Sequence, residues 1–167
     1  GDAFLDQLAL NSDGSPSVAN VIPGDIIREQ SYLLGSVRMW STLIDEFKRQ
    51  GYQEGDDLFV LPYDWRLSNR DSAAKLAQKI TFVIGTTQSP RVNLVAHSMG
   101  GLVARAYMAT KKGEILGGDR VRKLITLATP HHGTLGANLD ARSIFVTNSN
   151  WKEAIEKGDH VFWTCYN

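Results

Sequence analysis

The sequence has one cysteine, Cys165, two residues from its end. No internal disulfide can therefore staple the chain. It also lacks net charge, with 18 basic residues against 18 acidic ones. No run of like charge exceeds a few residues, so no nucleic acid partner is expected. Apolar runs are far too short to cross a bilayer. The first residues carry no leader pattern of positive charge followed by an apolar stretch. Internal repeats and low-complexity segments are absent. What remains, 43% hydrophobic and 22% charged over 167 residues, is the ordinary composition of one globular domain.

Against that plain background one stretch stands out, Val92-Asn93-Leu94-Val95-Ala96-His97-Ser98-Met99-Gly100-Gly101-Leu102-Val103. Val92 to Ala96 is a short apolar run of the kind that forms a buried strand. Leu102, Val103, Ala106 and Tyr107 are apolar at helical spacing. A chain passing from strand to helix within so few residues turns sharply, and the residue at the apex, Ser98, takes a strained backbone conformation. Strand and helix nearly touch beside such a turn, so the residues two before and two after it, Ala96 and Gly100, are expected to be small. Gly101 continues the small-residue run. This is the nucleophile-elbow pattern G-x-S-x-G with Ala in the first place. It lifts the Ser98 hydroxyl clear and aims the Met99 amide at the space where an oxyanion would form. The bland alternative is a Gly-rich turn with an incidental serine, as at phosphate sites. His97 is adjacent in sequence but points elsewhere at a tight elbow. It is expected to pack and hydrogen-bond beneath the turn rather than act as a base.

The rest of the chain supports a parallel α/β sheet. Residues 1–37 have weak periodicity and are expected to form an irregular excursion. Met39, Trp40, Leu43, Ile44 and Phe47 make one apolar helix face, with Gly51 as its C-terminal stop. Asp57 to Pro62 is expected to be a core strand. Tyr63-Asp64-Trp65-Arg66 follows at that strand's C-terminal end, the edge where open α/β sheets bind ligands. An Asp64–Arg66 pair with Trp65 plugging the loop is the structural reading of that segment. Ser68 or Asp71 can cap a helix whose buried stripe is Ala73, Leu76, Ala77, Ile80, Val83 and Ile84. The helix after Ser98 is expected to run to about Lys111. Val121 to Ala128 is a further core strand, ending in Thr129-Pro130-His131-His132-Gly133-Thr134. Three consecutive parallel strands joined by two right-handed helical crossovers are thus expected. After Gly136 the pattern blurs, and residues 138–167 are expected to begin a cap or tail.

Taken together, L-P-Y-D-W-R at Leu61 to Arg66, A-H-S-M-G-G-L at Ala96 to Leu102 and T-P-H-H-G-T at Thr129 to Thr134 resemble the lecithin:cholesterol acyltransferase-like branch of the α/β hydrolases. The A-H-S-x-G elbow is also similar to that of small bacterial lipases. The resemblance covers about residues 35 to 137. It implies a three-layer α/β-hydrolase-like parallel sheet. It implies acyl-ester chemistry on a lipid or ester substrate, contact with a membrane or lipoprotein surface, and no cofactor. Ser98 would be the acyl nucleophile, and the Met99 backbone N–H half of the oxyanion hole. Tyr63, Asp64, Trp65, Arg66, His131 and His132 would border the acyl pocket.

In that fold the triad runs Ser, Asp or Glu, then His, with the last two on later strands. No such strands are legible here. The whole chain, residues 1–167, is therefore expected to be a single partial domain with its core in 38–137, inactive by itself. Asp140, Asp159 and His160, with His131 and His132, are the internal candidates for acid and base, each weakly placed. A metal site at His131, His132 and Asp140 is disfavoured, because adjacent histidines rarely converge on one ion. The competing functional class is a non-catalytic α/β-hydrolase-like domain that binds a lipid or a protein.

Overall fold

The computed structural model describes residues 8–16, 22–32 and 35–133. Chain order begins with β1 (Glu29–Tyr32) and β2 (Gly35–Arg38), which pair antiparallel with Glu29 opposite Arg38. This hairpin falls partly inside the stretch expected to be irregular. It was illegible in the sequence because both strands are polar and carry no alternating apolar face. Arg28, at its base, pairs with Asp25 just before it and with Glu54 in the loop beyond α1, both at 2.5 Å. Arg28 and then Lys48 pull the Glu54 carboxyl down to about 2.

Helix α1 (Ser41–Arg49) ends where the sequence placed the stop. Gly51 has φ +97, its N–H donates to the Lys48 carbonyl, and the Tyr52 N–H donates to the Phe47 carbonyl. This is the paired hydrogen-bond pattern of a left-handed helix terminus. Phe47 and Tyr52 meet edge to face at 5.5 Å across it, the apolar contact that accompanies such an ending.

Helix α2 (Asn69–Thr87) starts at Ser68, whose hydroxyl accepts from the Asp71 N–H at 3.1 Å. It buries Ser72, Ala73, Leu76 and Ile80. Strand β3 (Val92–His97) leads through Ser98 into α3 (Met99–Met108), which ends a turn before the expected Lys111. A short hairpin, β4 (Lys111–Lys112) with β5 (Ile115–Leu116), and a 3-10 turn at Gly117–Arg120 return the chain to β6 (Val121–Leu127). Gly117 makes this return feasible, since a Cβ there would stand 2.1 Å from the Tyr107 carbonyl oxygen.

β6 pairs parallel with β3, from Asn93 opposite Lys123 to His97 opposite Leu127. The core lies between this pair and the two long helices. Ala73, Leu76 and Ile80 of α2 meet Val103, Ala104 and Tyr107 of α3, with Val121 closing the cluster and Val92, Leu94 and Leu124 packed against it. Each Leu, Ile or Val so buried contributes about 1.5–3 kcal/mol. Val95, Ile125 and Leu127, on the opposite sheet face, remain exposed.

Two parallel strands are present among the described residues, not the three expected. Asp57 to Pro62 is not a strand; among the described residues its only pairing is a single bridge, Glu54 with Leu58. The run is apolar enough for a strand, but a strand exists only against a partner. A cavity of about 820 Å³, lined by Leu58 to Leu61 and by all of β3, lies there instead. Helix α1 lines the same cavity through Leu43, Ile44 and Phe47.

Candidate active site

Ser98 carries φ 51 and ψ −127 between the last residue of β3 and the first of α3. A side chain other than glycine rarely occupies this region, and persists there only when its surroundings hold it. Two hydrogen bonds do so: the Ser98 N–H donates to the Leu127 carbonyl at 2.8 Å, and its own carbonyl accepts from the Gly101 N–H at 3.1 Å. Met99, the first residue of α3, places its N–H among the unpaired donors of a helix start. The neighbouring strand ends in the same way, because Ala128, just past Leu127, has φ 49. Nothing in the sequence announces this second turn, since alanine has no left-handed preference.

The tight packing falls one residue later than expected. A Cβ at Gly100 would lie 3.8 Å from Ala96 Cβ and from the Tyr63 hydroxyl, an ordinary contact. A Cβ at Gly101 would lie 2.1, 2.6 and 2.8 Å from Thr129 Oγ1, Cγ2 and Cβ. Gly101 is therefore the sterically required glycine, and Gly100 is not. Thr129, seated against it, has a buried hydroxyl with no hydrogen-bond partner among the described residues.

The Tyr63–Arg66 loop is fixed from within. Arg66 Nε and Nη2 donate to the two Asp64 oxygens at 2.8 and 2.6 Å, and the Arg66 N–H adds a third bond at 3.1 Å. Their side chains are only 5% and 7% exposed. Arg66 Nη1 also donates to the Leu8 carbonyl at 3.0 Å, anchoring the N-terminal region. The Arg66 guanidinium holds the Asp64 carboxyl below its usual range. Trp65 is not the expected plug: it is 69% exposed, because its neighbours on either side turn inward to pair. Tyr63 is half-buried, and burial pushes its phenol upward, keeping it a neutral donor beside Gly100.

His97 rests its ring on Trp40, centroids 4.6 Å apart. It makes no side-chain hydrogen bond among the described residues, contrary to expectation, because it faces the open side of the sheet. His131 lies between Arg105 Nη1, 3.2 Å from its Nδ1, and Thr126 Oγ1, 3.3 Å from its Nε2. Arginine can only donate, so Nδ1 accepts and the proton sits on Nε2. His131 thus braces the Thr129–Gly133 loop against α3, while His132 is exposed. Sequence reasoning missed Arg105, Thr126 and Thr129 as partners, because hydrogen bonds across elements leave no local pattern.

Among the described residues no imidazole or carboxylate hydrogen-bonds the Ser98 hydroxyl, and no group of His, Cys, Asp and Glu could hold a metal ion. No described helix is long and apolar enough to cross a membrane. Asp140, Asp159 and His160 lie outside the described residues, as does the blurred region after Gly136.

A serine held in a forced turn between a parallel strand and a helix defines the class: an α/β protein with a strained strand-to-helix turn at the end of its parallel pair. Comparison with known proteins narrows this further. The family model described as lecithin:cholesterol acyltransferase matches residues 27–143, and the chain belongs to that family, whose fold is that of the α/β hydrolases. It is similar to lecithin-cholesterol acyltransferase-like 4 of Arabidopsis thaliana, 31% identical over 103 residues, 60% of this chain and 19% of the relative. Phospholipase A(1) LCAT3 of the same plant is 32% identical over 119 residues, covering 70% of this chain and 26% of the relative. GPI inositol-deacylase of Candida albicans is 37% identical over 82 residues, 45% and 20% of the two chains. The chain thus spans about a fifth to a quarter of the length of these relatives.

Proposed function

We propose that this chain carries the nucleophile of an enzyme of lipid acyl-ester chemistry. The observation that carries the proposal is Ser98, at φ 51 at the junction of β3 and α3. The family of acyltransferases, phospholipase and deacylase to which it is similar points to the same chemistry. The Ser98 oxygen attacks an ester carbonyl, its proton passes to a base, and the alcohol leaves, forming an acyl-enzyme. Water or a second alcohol then takes the acyl group. The Met99 N–H supplies one donor for the oxyanion, worth about 2.7–4 kcal/mol where such donors have been removed. Tyr63 and the His131 loop border the site, and a lipid or a lipid surface is the partner.

An unassisted serine hydroxyl is a weak nucleophile at neutral pH, and no base meets Ser98 among the described residues. The 167-residue chain alone is accordingly expected to show little turnover. That same observation favours a second reading, a non-catalytic lipid- or protein-binding domain. A fluorophosphonate probe separates the two when applied to a protein extended to the length of the relatives. Labelling that disappears in Ser98→Ala supports the enzyme, and absence of labelling supports the binding domain.

A further inference from the structure

The chain is neutral as a whole, yet its charge is unevenly placed. From Ser72 to Gly133 it carries nine lysines and arginines against two acids, Glu114 and Asp119. Such asymmetry inside a neutral chain points to an anionic partner surface. The structure gathers part of the excess at one end of the sheet. The β4–β5 hairpin follows the end of α3 and places Lys111 opposite Leu116 and Lys112 opposite Ile115. Opposed residues of a hairpin share a face, so each face presents one cation beside one aliphatic side chain. All four are exposed, Ile115 by 51% and Leu116 by 45%. The 3-10 turn joins the hairpin to the start of β6, where Arg120 and Arg122 flank Val121. Val121 pairs with Val92, and Arg91 precedes Val92. The strand starts thus bring three more cations to this end.

None of the five has an ion-pair partner among the described residues. Of the two acids, Asp119 accepts from the Leu116 N–H at 2.9 Å, and Glu114 is exposed at the turn. The hairpin is also held stiffly. Gly113, at φ +64, opens its two-residue turn. The Gly117 N–H donates to the Thr110 carbonyl at 2.8 Å. Little backbone freedom is left to lose when the hairpin docks. A nucleic acid would engage the cations and leave both aliphatic side chains idle. An anionic bilayer uses the two together: ammonium groups sit among the head groups and aliphatic carbons reach the acyl boundary.

We propose that the β4–β5 hairpin is a docking element for anionic lipid surfaces, with Lys111 and Lys112 among the head groups and Ile115 and Leu116 at the acyl boundary. The inference rests on a lipid surface as the partner. It does not rest on the chemistry at Ser98, which lies at the far end of β3, about 20 Å away.

Co-sedimentation of the 167-residue chain with vesicles tests it. Vesicles of phosphatidylcholine and phosphatidylserine, about two to one, bind the chain, and phosphatidylcholine alone does not. Each lysine near such a surface is worth about a fivefold gain in partitioning. Lys111→Gln with Lys112→Gln therefore weakens binding about 25-fold, while Lys111→Arg with Lys112→Arg retains it. Ile115→Ser with Leu116→Ser weakens it about tenfold or more. Glu114→Gln, which removes the opposing charge, strengthens it about fivefold. These positions are exposed, so the circular dichroism of each variant matches the parent. Failure of the parent to bind either vesicle refutes the lipid surface as partner, and the docking element with it. Binding by the parent that the glutamine and serine pairs leave unchanged overturns the hairpin alone, as does equal binding to phosphatidylcholine. Sensitivity to the glutamine pair but not the serine pair, with equal binding to polyglutamate, also overturns it and assigns the patch to an acidic protein.

Discussion

Replacing Gly101 by alanine sets two effects of known sign against each other. Alanine is better than glycine inside a helix by about 1 kcal/mol, and position 101 is in the first turn of α3. The new methyl, however, would stand 2.1 to 2.8 Å from three atoms of Thr129. Rotation of the threonine side chain relieves only two of those contacts, because the third is its Cβ. Overpacking of this kind costs typically about 1–3 kcal/mol. Three contacts under 3 Å put this site at the upper end of that range, so the net expectation for Gly101→Ala is destabilisation by about 2 kcal/mol. Gly100→Ala, where the added carbon meets its nearest neighbours at 3.8 Å, should be neutral or stabilising by up to about 1 kcal/mol. Urea unfolding followed by circular dichroism measures both. Removing all three opposing atoms with Thr129→Gly should make Gly101→Ala harmless in the double variant, a coupling visible in the mutant cycle. A Gly101→Ala protein as stable as the parent would refute the claim that Thr129 seats the start of α3.

Other substitutions probe the remaining features. Ser98→Gly should raise stability by about 1 kcal/mol by relieving the positive φ, while abolishing fluorophosphonate labelling of the longer protein; loss of stability would show that the turn is not forced. Thr129→Val replaces a buried hydroxyl that has no partner among the described residues by a methyl of the same shape, and should be neutral or stabilising by about 1 kcal/mol in thermal melts. Arg66→Met strands the buried Asp64 carboxylate and should cost about 3–5 kcal/mol. The same pair predicts the acid limb of stability. Because Arg66 lowers the Asp64 carboxyl in the folded chain, its contribution is complete above the unfolded value of about 3.9 and fades as pH falls through the lower folded value. Titration of the unfolding midpoint from pH 6 to pH 2 should show a larger loss in the parent than in Arg66→Met, where the share of the other lowered carboxylates, Glu54 among them, persists.

What could be read from residue order alone is whatever neighbouring residues decide among themselves. The apolar stripe of α1, its Gly51 ending, the Ser68 cap of α2, the runs of β3 and β6, and the sharp turn at Ser98 all rest on propensities spanning a few positions. The motifs at Leu61–Arg66, Ala96–Leu102 and Thr129–Thr134 were enough to point to the family. Tertiary structure settled matters that depend on a distant partner. Asp57–Pro62 has the composition of a strand yet pairs with no described strand, since a sheet needs an edge beside it. The polar β1–β2 hairpin formed with no apolar signal, because backbone pairing is indifferent to side chains. Gly101 rather than Gly100 proved indispensable because Thr129, 28 positions away in sequence, occupies the space where its side chain would stand. Trp65 faces outward because Asp64 and Arg66 satisfy each other inside, a choice that local sequence leaves open and burial of opposite charges decides.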